Sequence, residues 1–571
     1  MVAVKHGSQW KNSLLSCACH ENGSGRAGLQ PRRDWRLPLP RPPARQRERG
    51  DHEVVGEGSD GGAKAPPFQD SAATSTQTIF MHGGEPRDHE VFAQDDTVHT
   101  FFLRRSRFLP ISPARSIAYR ILRGVEAGRG FAVDLLQTRD VSALKEADRR
   151  LATEIVMGVL RWRGELDFRI AEAFGKPVER LDPEVATILR LSVYQIQFLA
   201  RVPKPAVVNE AVEMTKAARK RSAAGFVNAL LRKFPPSNAG APERFEDLDA
   251  AGRATVRRTV PNWLLERWAA LRPGVTAAKA GVDSAGDDVA LRLAWASTQV
   301  PPTVLRVVNP GDDISWLREE LASDGVMTKP GKFSRRALVI TSGNVQASQA
   351  LRQGRVVIQD EASQLVVDLL MPQEEQRVLD LCAAPGVKAG QVAQSLGRGT
   401  LVTCDRSASR LRTMASLLPH WLPPEVRWLA VRVDATQALP FGCRFERILL
   451  DAPCSGTGTL ARNPEIKWRL READLERLAE AQAKMLKGAL GYLDLGGRLV
   501  YATCSLEREE NEGVVERVLA ESPEYRLVSW AELESAHLAL SLLLDPQGYL
   551  RTRPDLHNMD GFFAAAIERK S

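Results

Sequence analysis

Two cysteines of this chain stand where a thiol can do chemistry. Cys454 lies in RILLDAPCSGTGTL (447–460) and Cys504 in GRLVYATCSLEREEN (497–511). In the first, a short apolar run of buried-strand character stops at Asp451; in the second, a comparable run ends just before Cys504. Both read as parallel strands that turn into tight loops, and in an open α/β sheet ligands bind beyond the carboxyl ends of the strands. A thiolate is the nucleophilic form of cysteine, so such a site needs a partly exposed, electropositive setting, for which Lys388 is the candidate source. Were the two strands neighbours, about 4.8 Å apart, both sulfurs could face one substrate ring. A lone cysteine in a small-residue loop is more often a packed core thiol. The stretches around these two argue otherwise.

The elements that would position them alternate strand and helix from Arg377 onward. RVLDLCAAPGVKAGQVAQSL (377–396) is a strand, a small-residue turn and a helix. The turn lets a ligand approach the backbone near a helix amino end. It has neither the GxxxxGK[ST] spacing of an NTPase phosphate loop nor the GxGxxG of a dinucleotide fold. TLVTCD then ends at Asp405, where doubly wound folds bind a ribose hydroxyl pair. VRWLAVRVD ends at Asp434 and RILLD at Asp451. Acids and thiols thus recur at the carboxyl ends of successive strands, all on one rim.

The 571 residues are too many for one core. Lys and Arg (78) outnumber Asp and Glu (70), a balance compatible with a polyanionic partner. Seven cysteines make no disulfide scaffold, their spacings fit no zinc pattern, and no metal site is expected. No apolar run approaches the ~20 residues of a membrane span, so a cytoplasmic protein with reduced thiols is expected.

Residues 1–110 are rich in Gly, Pro, Arg and Ser without period and read as a disordered extension. Residues 111–235 read as an all-α domain that opens at Ser112-Pro113, with helices over 146–162, 164–174, 184–200, 205–219 and 222–233. Residues 236–355 read as a small α+β unit, with strands at VALRLAW, TVLRVV and ALVI and a helix near 314–323. Residues 356–571 read as a Rossmann-like α/β domain.

Several stretches carry a resemblance. RRLATEIVMGVLRWRGELD, ILRLSVYQIQFLARVPKPAVVNEAVEMTK and GFVNALLRKF look like the NusB-like RNA-binding domain that precedes certain rRNA methyltransferases. CAAPGVK, Asp405, Asp434, DAPCSGTG, NPEIKW and TCSLEREEN resemble the RNA cytosine-5 methyltransferase family, whose donor is S-adenosylmethionine. The resemblance spans about 112–571 and implies an RRM-like, RNA-contacting middle unit, though no RNP-type aromatic signature is visible. It implies Cys504 as the nucleophile, Cys454 as the cysteine of product release, and Asp451 and Lys388 beside the target base. The cofactor would be held by Cys382, Ala383, Ala384, Pro385, Gly386, Val387 and Lys388, with Asp405 on the ribose, Asp434 near the adenine and Asp451 at the junction. DNA cytosine-5 methyltransferases use a proline-cysteine pair, which would nominate Cys454; the Thr-Cys-Ser of the RNA family nominates Cys504. The implied substrate is 16S rRNA, not DNA, and the implied enzyme a monomer. The same chemistry on tRNA or another rRNA site, or a non-catalytic ribosome-assembly factor, are the alternatives. One departure stands out: Val387 occupies a position where the family usually has glycine, which would narrow the loop's freedom and weaken cofactor binding.

Overall fold

The computed structural model describes residues 3–4, 111–236, 244–271, 286–536 and 540–570. Apart from Ala3–Val4 (β1), the segment expected to be a disordered extension lies outside the described residues.

The first unit is helical. Pro113–Glu126 (α1) opens on Pro113 as the sequence demands and buries Ile117, Ile121, Leu122 and Val125. Glu146–Phe174 (α2) is one continuous helix of 29 residues, not the expected two. Gly164, within it, is no breaker: a Cβ there would meet the Arg258 carbonyl oxygen at 1.9 Å, so the glycine serves close packing. Pro183–Phe198 (α3), Lys204–Ala217 (α4) and Ala224–Arg232 (α5) complete one shared core with α1 and α2. Arg190 on α3 is buried and paired with Asp167 at 2.6 Å and Glu126 at 2.8 Å.

Three helices follow: Ala250–Arg257 (α6), Asn262–Ala269 (α7) and Gly286–Ala296 (α8). The last contains VALRLAW, expected as a strand. Its buried Val289, Ala290, Leu293 and Ala294 form a stripe at helical spacing that packs with Leu264, Leu265 and Trp268 of α7. A short apolar run fits either period, and tertiary packing decides it.

The middle unit has the order strand, helix, strand, strand, helix, strand: Val304–Val307 (β2), Ile314–Ser323 (α9), Met327–Pro330 (β3), Ala337–Ser342 (β4), Gln349–Arg352 (α10) and Val356–Ile358 (β5). Its sheet order is β3-β4-β2-β5, with every pairing antiparallel. Leu305, Val307, Leu338 and Ile340 pack with Leu317 and Leu321 of α9. On the opposite side, Val308, Phe333 and Val357 join the core of the C-terminal domain, along Glu361–Leu370 (α11). Every residue of β2 is buried. An RRM stacks bases on an open sheet face; here that face is occupied by protein.

The larger sheet runs β1-β8-β7-β6-β9-β10-β13-β11, with Arg377–Asp380 (β6), Thr400–Asp405 (β7), Arg427–Arg432 (β8), Phe445–Asp451 (β9), Leu493–Thr503 (β10), Tyr525–Leu527 (β11), Leu550–Arg551 (β12) and Phe563–Arg569 (β13). Strands β8, β7, β6, β9 and β10 are parallel, and β13 returns antiparallel to β10. Helices α11, Val387–Ala393 (α12) and Ala408–Leu417 (α13) contribute to the core on one face, and Ala473–Leu490 (α14) and Glu512–Ala520 (α15) to that on the other. The chain goes outward from β6 through β7 to β8, then crosses back to place β9 on the other flank of β6. The loops after β6 and β9 therefore open at a topological switch point, where such folds bind ligands.

Candidate active site

Strands β9 and β10 are direct neighbours, with Ala502 opposite Asp451. Each turns into its loop within three residues of that pair, which brings the Cys454 and Cys504 sulfurs to 3.3 Å. The loops are stitched together below the sulfurs. Gly458 N–H donates to the Cys504 carbonyl at 2.9 Å, and Leu506 N–H to Thr457 Oγ1 at 2.9 Å. Glu510, wholly buried, accepts from the Ser455 amide at 2.8 Å, Gln482 Nε2 at 2.9 Å, Ser505 Oγ at 2.6 Å and the Ser455 hydroxyl. Glu510 thus joins both cysteine loops through one carboxylate. The sequence quoted it within TCSLEREEN without a role, because no spacing distinguishes it from Glu507 and Glu509.

The hydrogen bond to the Cys504 sulfur, with burial, pushes the Cys454 thiol well above its ordinary range. The shift favours the thiol form of Cys454, and the contact itself leaves either sulfur free to donate. Lys388 Nζ donates to Asp451 Oδ2 at 2.8 Å and lies 5.1 Å over the Phe562 ring. Burial works against the Lys388 charge, but Asp451 in contact and Cys504 nearby outweigh it, and its pKa is raised. The cation expected to favour a thiolate stands close to Cys504.

The loop after β6 carries the other expected residues. Ala383 N–H donates to the Cys404 carbonyl at 2.8 Å, which ties the loop to β7. Gly386 has φ +104°, a left-handed conformation that a side chain resists, and a Cβ there would meet Met414 Cγ at 2.9 Å. Val387 is different. It is the first residue of α12, outside the positive-φ set, and packs partly buried against the core. The backbone reason for expecting Val387 to restrict the loop is absent, since the glycine that must be glycine is Gly386. Val387→Gly should change donor affinity less than about threefold while costing roughly 0.5–1 kcal/mol of stability, as titration calorimetry and thermal melts would read.

Asp405 is buried, with Oδ1 accepting from Ser407 N–H at 2.8 Å and Oδ2 3.2 Å from Arg410. Arg410, which sequence reading missed, also donates to the Ala384 carbonyl and so clamps the β7 acid to the β6 loop. Asp434 lies two residues past β8, exposed, its Oδ1 held by Thr436 N–H at 3.0 Å. With Arg406, Ser407 and Arg432 it lines an open cleft of about 470 Å³. Burial, with Asp380, Asp451 and Asp405 adding, pushes the Cys382 thiol well above its ordinary range.

Asp380 was also missed, though it ends β6 as Asp405 ends β7. Burial, with Asp451 adding, raises its pKa to about 8. Neither of its oxygens finds a properly oriented hydrogen-bond partner among the described residues. His557 and Asp560, near the C-terminus, have structural work: Arg553 N–H donates to His557 Nδ1 at 2.9 Å, and Asp560 receives Arg462 Nε at 2.8 Å.

A doubly wound sheet, a glycine-turned loop at its switch point and two thiols on adjoining strands define a methyltransferase domain of the two-cysteine kind, here joined to a helical domain. Residues 367–568 match the family described as 16S rRNA methyltransferase RsmB/F, and residues 112–235 match the NusB family. The ribosomal RNA small subunit methyltransferase B of Pseudomonas putida is 31% identical over 459 residues, covering 79% of this chain and 98% of that relative. The corresponding probable enzyme of Bacillus subtilis is 29% identical over 463 residues, covering 80% and 98%. The chain belongs to the RsmB/F family of 16S rRNA methyltransferases. A crystal structure of the protein PH0851 shares the fold, with a TM-score of 0.63 at 24% identity over 81% of this chain and all of that one. Among the described residues no helix is long and apolar enough to cross a membrane.

Proposed function

We propose that this chain methylates C5 of a cytosine in 16S rRNA through a covalent bond from Cys504 to C6, with S-adenosylmethionine as donor. The observation that carries the reading is the sulfur pair, 3.3 Å apart on the loops of two neighbouring strands, with the Lys388 ammonium close by.

Cytosine C5 is a weak nucleophile. Addition of the Cys504 thiolate to C6 moves the ring's π electrons toward C5, which becomes enamine-like, so one hard step becomes two easier ones. The donor supplies a methyl group on a sulfonium, an electrophile for C5. Asp451 would hydrogen-bond the ring near N3 and the exocyclic amine, with Lys388 holding that carboxylate in place and offsetting charge that develops. Water takes the C5 proton, the C5–H electron pair restores the C5–C6 double bond as the C6–sulfur bond breaks, and Cys454 assists by protonating the leaving Cys504 thiolate and regains its proton from solvent. Attack at C6 needs the ring face, so the target base must be single-stranded or flipped out. The helical domain would hold the RNA through phosphates.

The residues present fit the donor. Asp380 is a buried carboxyl whose oxygens have no well-oriented hydrogen-bond partner among the described residues. Gly386 holds a left-handed turn without a side chain, and Asp405 keeps lone pairs beyond its two protein contacts. Residues 382–388 would hold the amino-acid portion, Asp405 the ribose hydroxyls and Asp434 the adenine side. Asp405→Asn should weaken donor binding by roughly tenfold or more, as lost charge-assisted hydrogen bonds do, measured by calorimetry on the free enzyme.

The test incubates full-length protein with tritiated donor and unmethylated 16S rRNA, tRNA and DNA in parallel, followed by bisulfite mapping. Label at one 16S cytosine as 5-methylcytosine is expected. Label confined to tRNA would overturn the substrate, and label elsewhere on the base would overturn the chemistry.

A further inference from the structure

The segment Ala461–Arg469, which continues the Cys454 loop, is bound to the helical domain as well as to its own. Lys467 within it is 1% exposed. Its ammonium donates to the Arg161 carbonyl on α2 at 2.8 Å and to Ser297 Oγ, just past α8, at 3.3 Å. Arg161 answers with its guanidinium, donating Nε and Nη2 to the Ala461 carbonyl at 3.1 and 2.9 Å. Around this reciprocal pair, Glu465 Oε1 accepts from Ala132 N–H at 2.5 Å and Trp468 Nε1 donates to the Leu160 carbonyl at 3.2 Å. Arg469 donates to the Val125 and Gly130 carbonyls at 2.5 and 2.7 Å. Apart from the Arg161 guanidinium, the partners on the helical domain are backbone atoms, which cannot swing aside as side chains do.

Stability alone is a poor reason for a lysine here. No carboxylate stands among its hydrogen-bond partners, and burial, reinforced by the Arg161 cation, lowers its pKa to about 7. Replacing a buried cation by an apolar side chain of similar volume is often neutral or better for stability. What the amine supplies, and an apolar chain does not, is direction: two hydrogen bonds that fix the segment's distance from α2 and α8.

We propose that Lys467 is a positioning residue, which anchors the Cys454 loop to the helical domain and so sets the Cys454 thiol against Cys504. The inference rests on the roles assigned to the two cysteines above. The mechanical route is short. Leu460 ends the Cys454 loop and Arg462, its second neighbour, is fixed by Asp360 at 2.6 Å and Asp560 at 2.8 Å, while Lys467 fixes the far end of the same segment. The helical domain is then more than an RNA handle: movement of α2 upon the catalytic domain is carried to the release thiol.

The test is Lys467→Met in the full chain. Thermal melts and affinities for donor and RNA should stay within about threefold of the parent. The kcat should fall tenfold to a hundredfold, the scale on which misplacement of a reacting group acts, and covalent RNA–protein adduct should accumulate during turnover. In the free enzyme, the iodoacetamide alkylation rate of Cys454 relative to Cys504, read by peptide mass spectrometry, should shift at least threefold. Unchanged adduct and an unchanged alkylation ratio would overturn the proposal, as would a loss confined to RNA affinity. If Lys467→Met fails to fold, Arg161→Gln, which removes the returning bonds to Ala461, is read the same way. Turnover by Cys504→Ala in the same assay would overturn the chemical reading instead, and the alkylation ratio still decides the role of Lys467.

Discussion

Cys504→Ala should abolish turnover, with a loss on the order of a thousandfold or more, the scale seen when a covalent nucleophile is removed. The expectation follows from the sulfur pair and from the Thr-Cys-Ser setting of Cys504. The contact with the Cys504 sulfur at 3.3 Å and burial both favour the thiol form of Cys454. Cys504 lies close enough to the Lys388 ammonium to raise the pKa of that lysine. Methyl transfer from tritiated donor is the readout, with donor affinity measured in parallel. Robust turnover with Cys454→Ala inactive would reverse the two roles and align the site with the proline-cysteine chemistry of DNA enzymes.

Cys454→Ala should behave in the opposite way and trap its substrate. Addition to C6 and methylation at C5 remain possible because neither uses Cys454. Departure of Cys504 is then slowed, and a covalent RNA–protein complex should build up to a large fraction of the enzyme, visible as a shifted band on denaturing gels. The double variant should show neither adduct nor product. Adduct in the double variant would mean that a third group attacks. Absence of adduct in Cys454→Ala, with product formed at the parental rate, would remove Cys454 from the release step.

Much of this site was legible in the chain, and for identifiable reasons. A parallel strand covered on both faces is a short apolar run, and the residue that ends it lies on the ligand-binding rim whatever the rest of the fold does. Asp405, Asp451 and Cys504 were found that way, and Asp380 offered the same signal unread. Neighbourhood was harder: that β9 adjoins β10 was a condition of the argument, met by the pairing of Asp451 with Ala502. Glu510 and Arg410 escaped because their importance is a matter of which distant loops they join, and local spacing carries no trace of it. VALRLAW was misread because seven residues satisfy both periods until a partner helix is in place. NPEIKW was noticed as a motif, yet its contacts reach back some 300 residues to the helical domain.

The covered sheet of the middle unit bears on how this protein can be handled at the bench. Val308, Phe333 and Val357 share a core with Ala362, Leu365 and Val366. A fragment trimmed to begin at residue 356, the boundary a motif search suggests, would leave that side of α11 bare to solvent, a greasy surface that invites clumping. A protease should therefore find few cut sites between the middle unit and the chemistry it abuts, and truncations meant to isolate the catalytic domain should be made upstream of Val304.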